Sequence, residues 1–160
     1  MSESVRVEPA RPEDLSAMAD LLSELFTLES DFVPDRDRQL AGLALILDTP
    51  ALGQLFVLRE GQGILGMANA LITVSTARGG RVLLLEDVIV SGTARGRGLG
   101  RLLVEEVLAW AAQQGFSRVT LLADKDNRPA LDFYRHLGFQ SSAMVVLRKT
   151  LEEPGSLSLL

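Results

Sequence analysis

The chain has no cysteine and a single histidine. Without thiols there can be no disulfide, no thiolate zinc site and no cysteine nucleophile. His136, between Arg135 and Leu137, has no second histidine to share a metal, so no metal is expected. No apolar run approaches the roughly 20 residues that span a bilayer. The opening "MSESVRVEPARPEDL" lacks the apolar core of a signal peptide. Positive charge is also scarce: 16 Lys and Arg stand against 21 Asp and Glu, for a net charge of −5. Such a surface repels nucleic acid and anionic membrane unless a local patch opposes the average. The expectation is a cytoplasmic protein with neither of those partners.

What remains is a globular composition. Of 160 residues, 47% are hydrophobic and 23% charged, enough to bury one core. We expect one domain over residues 1–152 and a tail over 153–160. "VRVEP" alternates as a strand. Leu15, Met18, Leu21, Leu22, Leu25 and Phe26 recur at helical spacing, and "RQLAGLALILDTP" is a second helix stopped by Pro50. Between them lies "TLESDFVPDRD", a carboxylate-rich connection holding Phe32. "GQLFVLRE", "ILGMANALITV" and "RVLLLEDVIV" read as an antiparallel meander. "LGRLLVEEVLAWAAQQG" is a helix, "SRVTLLAD" a strand, "NRPALDFYRHLG" a short helix and "AMVVLRKTL" a last strand. This order predicts an α/β fold. Its mixed sheet would hold about six or seven strands, an N-terminal antiparallel meander plus a parallel central pair, flanked by helices.

The densest chemistry is "TARGRGLGRLL", Thr93 to Leu103. Glycines allow close approach to the backbone, a helix start offers unpaired amides and a positive dipole end, and Arg95, Arg97 and Arg101 add charge. Together these make an anion site suited to phosphate. A P-loop needs Lys and then Ser or Thr after its last glycine, but Arg101 and Leu102 follow Gly100. A dinucleotide fingerprint needs a third glycine where Leu103 or Arg101 stands. A second oddity is "LEDVIV", where Glu86 and Asp87 interrupt an apolar strand. A buried carboxylate is costly without partners. Strict alternation puts the two on opposite faces.

"RGRGLG" resembles the Arg/Gln-x-x-Gly-x-Gly/Ala signature of the GNAT superfamily of N-acetyltransferases. "LEDVIV" before it resembles that family's fourth strand, and "NRPALDFYRHLGF" resembles its Asn-x-x-Ala-x-x-Phe-Tyr-x-x-x-Gly-Phe segment. The likeness is strong from Leu85 to Phe139.

The resemblance implies acetyl-CoA as co-substrate. It implies phosphate binding on the loop of Arg95, Gly96, Arg97, Gly98, Leu99, Gly100 and Arg101. It also implies pantetheine binding on the backbone of Val88, Ile89 and Val90, from a strand that bulges and splays from the next. Asn127 reads as a helix cap, and the resemblance adds a cofactor contact. Tyr134, the chain's one tyrosine, matches the general-acid position. Glu86 is the candidate base, directly or through water, with Asp87 beside it. With no cysteine, direct attack of an amine on the thioester is the simplest route.

The acceptor would be a small-molecule or peptide amine, such as a polyamine, an aminoglycoside or a peptide amine. The meander edges and the apolar tail could support a homodimer. The alternative is an acyl-CoA-binding sensor or interaction module without turnover.

Overall fold

A computed structural model describes residues 4–28 and 35–151. Strand β1 is Val5–Pro9. A 3-10 turn, Pro12–Asp14, precedes helix α1, Leu15–Leu28. Helix α2 is Arg36–Asp48, and its N-cap Asp35 accepts from the Arg38 amide at 3.2 Å. The meander follows as β2 (Gly53–Glu60), β3 (Gly63–Ser75) and β4 (Gly80–Val90). A second 3-10 turn, Gly92–Ala94, leads into helix α3, Leu99–Gln113. Strand β5, Val119–Leu121, and helix α4, Arg128–His136, complete the elements. Phe32 and the connection around it lie outside the described residues, as does the tail at 153–160.

The chain divides into two compact units, Met1–Asp124 and Lys125–Leu160. The first holds one sheet in the order β1-β2-β3-β4-β5. The first four strands are antiparallel neighbours, and β5 pairs parallel to β4. The mixed α/β sheet therefore stands, with five strands among the described residues instead of six or seven. The expected last strand, "AMVVLRKTL", is absent among the described residues. Met144, Val145 and Leu147 are strongly exposed there. An apolar run makes a strand only where a ladder accepts it, and the sheet ends at β5.

Both faces of the sheet are covered. On one, Met18, Leu21 and Leu22 of α1 and Leu43 of α2 close over Leu55, Val57, Met67 and Ile89. On the other, Leu103, Val104, Val107 and Ala111 of α3 are buried, and Trp110 meets Phe56 edge-on at 5.1 Å between ring centres. Each large aliphatic side chain removed from water contributes about 1.5–3 kcal/mol. One ion cluster sits in this interior. Arg59 of β2 forks onto Asp14 at 3.1 and 2.8 Å and donates through Nε to Glu8 of β1. The Arg11 amide also donates to Asp14, at 2.9 Å.

Candidate active site

The site is built around an irregularity in β4. Met67 pairs with Ile89, yet Asn69 pairs with Glu86, so Ala68 alone faces Asp87 and Val88. This is a β-bulge. Asp87 takes φ = 54° there, the one non-glycine residue at positive φ among those described. Aspartate tolerates that conformation better than most residues. The bulge breaks the alternation that would separate the two carboxylates. Glu86 is the cross-strand partner of Asn69 and shares its face. Asp87 reaches the same side chain, accepting from Asn69 Nδ2 at 3.3 Å. The expectation of opposite faces fails here because an extra residue resets the period of two.

Beyond the bulge, β4 also loses its parallel neighbour. The ladder to β5 runs only over Leu83–Leu85 against Val119–Leu121. Val88, Ile89 and Val90 thus lie past its end, where backbone groups on that edge can meet a ligand.

The loop after β4 fits an anion. Gly96 and Gly98 hold φ of 82° and 73°, a region glycine enters without a Cβ penalty. Gly98 is the N-cap of α3, and no side chain caps the helix. The first intrahelical bond runs from the Leu102 amide to the Gly98 carbonyl at 3.2 Å. The preceding amides of Leu99, Gly100 and Arg101 point out of the helix start, at the positive end of its dipole.

The arginines are less available than their sequence suggests. Arg97 forks onto Glu60 at 2.6 and 3.3 Å. Arg101 pairs with Glu105 at 2.7 Å and Arg95 with Glu24 at 3.6 Å. Glu24 also accepts from the Gly92 amide at 2.8 Å, tying α1 to the loop. The hydrogen bond from Arg97 holds the Glu60 carboxyl below its ordinary value.

A cavity of about 360 Å³ opens between α1, α2 and the bulge. Leu22, Phe26 and Leu43 line it together with Gln39, Asn69 and Asp87. Asn69 and Gln39 are 4% and 7% exposed, yet Asn69 Oδ1 and Gln39 Nε2 have no partner among the described residues. Burial pushes the Asp87 carboxyl above the ordinary aspartate value, partly opposed by the bond from Asn69. Asn69 and Gln39 escaped sequence reasoning. Their one signal was a lone amide in each of two apolar segments, "GMANALI" and "RQLAGLALI".

The second unit carries the other two candidates. Asn127 caps α4, its Oδ1 accepting from the Ala130 amide at 3.2 Å. Tyr134 packs edge-on against Phe133 and Phe139, with ring centres 5.1 and 5.6 Å apart. Burial pushes its phenol above the ordinary value of 10.0, so it keeps its proton at neutral pH. His136 turns Nδ1 to the Asp132 carbonyl at 2.7 Å. Among the described residues no group of three or more His, Cys, Asp or Glu is placed to hold a metal, and no helix is long and apolar enough to cross a membrane.

A bulged strand released from its parallel neighbour, leading to a glycine loop at an uncapped helix start, is the arrangement that the family resemblance leads one to expect. The model of the acetyltransferase (GNAT) family matches residues 15–139, and the chain belongs to that family. Mouse (Mus musculus) N-alpha-acetyltransferase 80 is 35% identical over 136 residues. That match covers 81% of this chain and 39% of the mouse protein, so the chain spans well under half of that relative's length. Among solved structures, a possible acetyltransferase from Clostridium difficile 630 superposes with a TM-score of 0.85 at 18% identity, covering 94% of this chain and 100% of that one. An aminoglycoside N-acetyltransferase solved in complex with CoA gives a TM-score of 0.79 at 19% identity, covering 94% of this chain and 97% of the other. At these identities the two structures share the fold.

Proposed function

We propose that this chain transfers an acetyl group from acetyl-CoA to a primary amine by direct attack. The observation that carries this reading is the uncapped start of α3 behind Gly96 and Gly98, which follows directly on the bulged β4. Loop amides of residues 95–101 would hold the phosphates, and the released edge at Val88, Ile89 and Val90 would align the pantetheine arm. Asn127 would assist on the cofactor side.

An amine with a pKa near 10.4 is almost wholly protonated at pH 7, and only its neutral form attacks. Glu86 or Asp87, directly or through water, would take that proton. The amine nitrogen then bonds to the thioester carbonyl carbon, the C–S bond breaks, and the sulfur leaves with its electron pair. The nitrogen loses its second proton to solvent as the amide forms, and Tyr134 would donate its own proton to the sulfur and regain one from solvent. The chain has no cysteine, so no acyl-cysteine intermediate forms. Alignment of the two reactants supplies a large share of the rate.

The test is release of free CoA from acetyl-CoA across a broad amine panel. Release that depends on amine and saturates supports the transferase. Tight acetyl-CoA binding with no release for any amine would leave a sensor and overturn it.

A further inference from the structure

Two buried amides in the cavity each lack one partner, and the missing partners are of opposite kinds. Asp87 fixes which way Asn69 faces, because Nδ2 donates to its carboxylate. That leaves Oδ1 as an open acceptor. Ser23 Oγ donates to Gln39 Oε1 at 3.1 Å, which leaves Nε2 as an open donor. A buried polar atom with no partner costs roughly the desolvation of that group, so each site favours a ligand atom that completes it. The rest of the lining includes Leu22, Phe26 and Leu43, which are apolar. One carboxylate, Asp87, adjoins Asn69. Asp35, also on the lining, already caps α2 and pairs with Arg38 at 3.6 Å.

We infer that this cavity selects a primary amine that carries a neutral hydrogen-bond acceptor and an apolar side chain, the chemistry of an amino-acid amide or a peptide amino terminus. The amine donates to Asn69 Oδ1 beside Asp87. The carbonyl accepts from Gln39 Nε2. The side chain fills the apolar lining. A polyamine fits poorly, because its second cation would meet the Gln39 donor. This inference rests on the amine-acceptor reading of the site, and Gln39 acts in it as the specificity-determining residue.

The experiment compares leucinamide with 3-methylbutylamine, which lacks only the carboxamide, and with spermidine. Rates are measured by CoA release and expressed per neutral amine at the assay pH, because an α-amino group with a pKa of about 7.7–8.0 is neutral far more often than an alkylamine near 10.4. Amine binding is measured by calorimetry with CoA present. The expected result is a kcat/KM for leucinamide about ten- to a hundredfold above 3-methylbutylamine, with spermidine lower still. A Leu-Ala-Ala amide distinguishes the sources: comparable or better rates mark a peptide terminus, while exclusion marks a free amino-acid amide. Gln39→Leu should bring the leucinamide preference close to unity. Gln39→Glu keeps the bond from Ser23 but replaces the donor with an acceptor, and should shift preference towards 1,4-diaminobutane. Equal rates for leucinamide and 3-methylbutylamine, or a preference that survives Gln39→Leu, would overturn the inference while leaving the transferase intact. Gln39-dependent leucinamide binding without CoA release would uphold it and remove the transferase. Absence of both binding and release would remove both.

Discussion

Asn69 Nδ2 donates to Asp87 Oδ2 at 3.3 Å across the β3–β4 bulge, and Glu86 is the ladder partner of the same asparagine. Asn69 therefore adjoins both candidate bases, Asp87 through its amide and Glu86 through strand register. Burial raises the Asp87 pKa above 3.8 and the Asn69 bond opposes the rise. A carboxylate base works ionised, so activity falls as pH drops through its folded pKa. If Asp87 is the base, the acid limb of kcat/KM lies above the ordinary aspartate range. Asn69→Leu should then move it higher still.

The same shift has a stability consequence of opposite sign. A carboxyl with a raised folded pKa stabilises the fold most below about 3.8, and that contribution is lost as pH rises through the folded value. Asp87→Asn removes the buried charge, and asparagine accepts φ = 54° as readily. The expected outcome at pH 7 is a higher Tm together with a kcat/KM lower by about 10²–10⁴-fold if Asp87 is the base. If Glu86 is the base, Glu86→Gln carries the rate loss instead. Melting curves and rates on the two variants separate the cases.

Local signals carried much of this structure. Helix periodicity marked α1, α2 and α3, and alternation with turn residues marked the meander. The glycine loop and its helix start were legible because αL glycines and helix caps are local devices. The bulge was not, because pairing register belongs to two strands at once. The same limit hid the ion pairs of the loop. Arg97 and Glu60 are 37 residues apart, and nothing in "RGRGLG" names its partners. The apolar run at 144–147 misled for the converse reason: strand propensity without a ladder partner leaves exposed chain.

Glycine substitutions should separate backbone strain from crowding. A Cβ on Gly98 meets nothing within 4 Å, but φ is 73°. Gly98→Ala should therefore cost about 1–2 kcal/mol from conformation alone, and Gly98→Asn less. Both should weaken acetyl-CoA binding, read by calorimetry. Gly66 has an ordinary φ, yet its Cβ would lie 2.8 Å from the Ile89 carbonyl oxygen. Gly66→Ala should push the β3–β4 seam apart next to the bulge and lower kcat more than it weakens cofactor binding.

Arg97 cannot serve Glu60 and a phosphate equally. Glu60→Gln weakens the ion pair while keeping side-chain shape. If Arg97 contributes to phosphate binding, acetyl-CoA affinity should rise about two- to fivefold at low salt, the scale of an exposed pair. The gain should shrink as ionic strength rises. Arg97→Gln should lower affinity with the same salt trend. Unchanged affinity in both variants would leave binding to the backbone amides alone.

Tyr134→Phe isolates one oxygen. Both ring contacts, to Phe133 and Phe139, survive the change. If the phenol protonates the leaving sulfur, kcat should fall at least about tenfold, within the range for a positioned acid. The Kd for acetyl-CoA should stay within about twofold, because stacking and backbone contacts remain. Equal losses in both quantities would make Tyr134 a packing residue.

The Arg59 cluster should govern acid stability. Arg59 is 5% exposed and serves two carboxylates. At Glu8 the Arg59 hydrogen bond leads and holds the carboxyl low. At Asp14 burial alone would raise the pKa, but bonds from Arg59 and the Arg11 amide outweigh it. Both folded values thus lie below the ordinary ones of 4.5 and 3.8. Stability from such groups is present above the unfolded pKa and is lost as pH falls through the folded one. Tm should hold from neutral pH to about pH 5 and then drop steeply below about pH 4. Arg59→Met leaves Asp14 buried and unpaired, at a cost of about 3–5 kcal/mol. Without the guanidinium, only Arg11 opposes the effect of burial on Asp14, so its carboxyl is held less far down and the variant should lose less stability than the parent as pH falls below about 4. A variant whose Tm tracks the parent across that range would show that the cluster is solvated and contributes little to the fold.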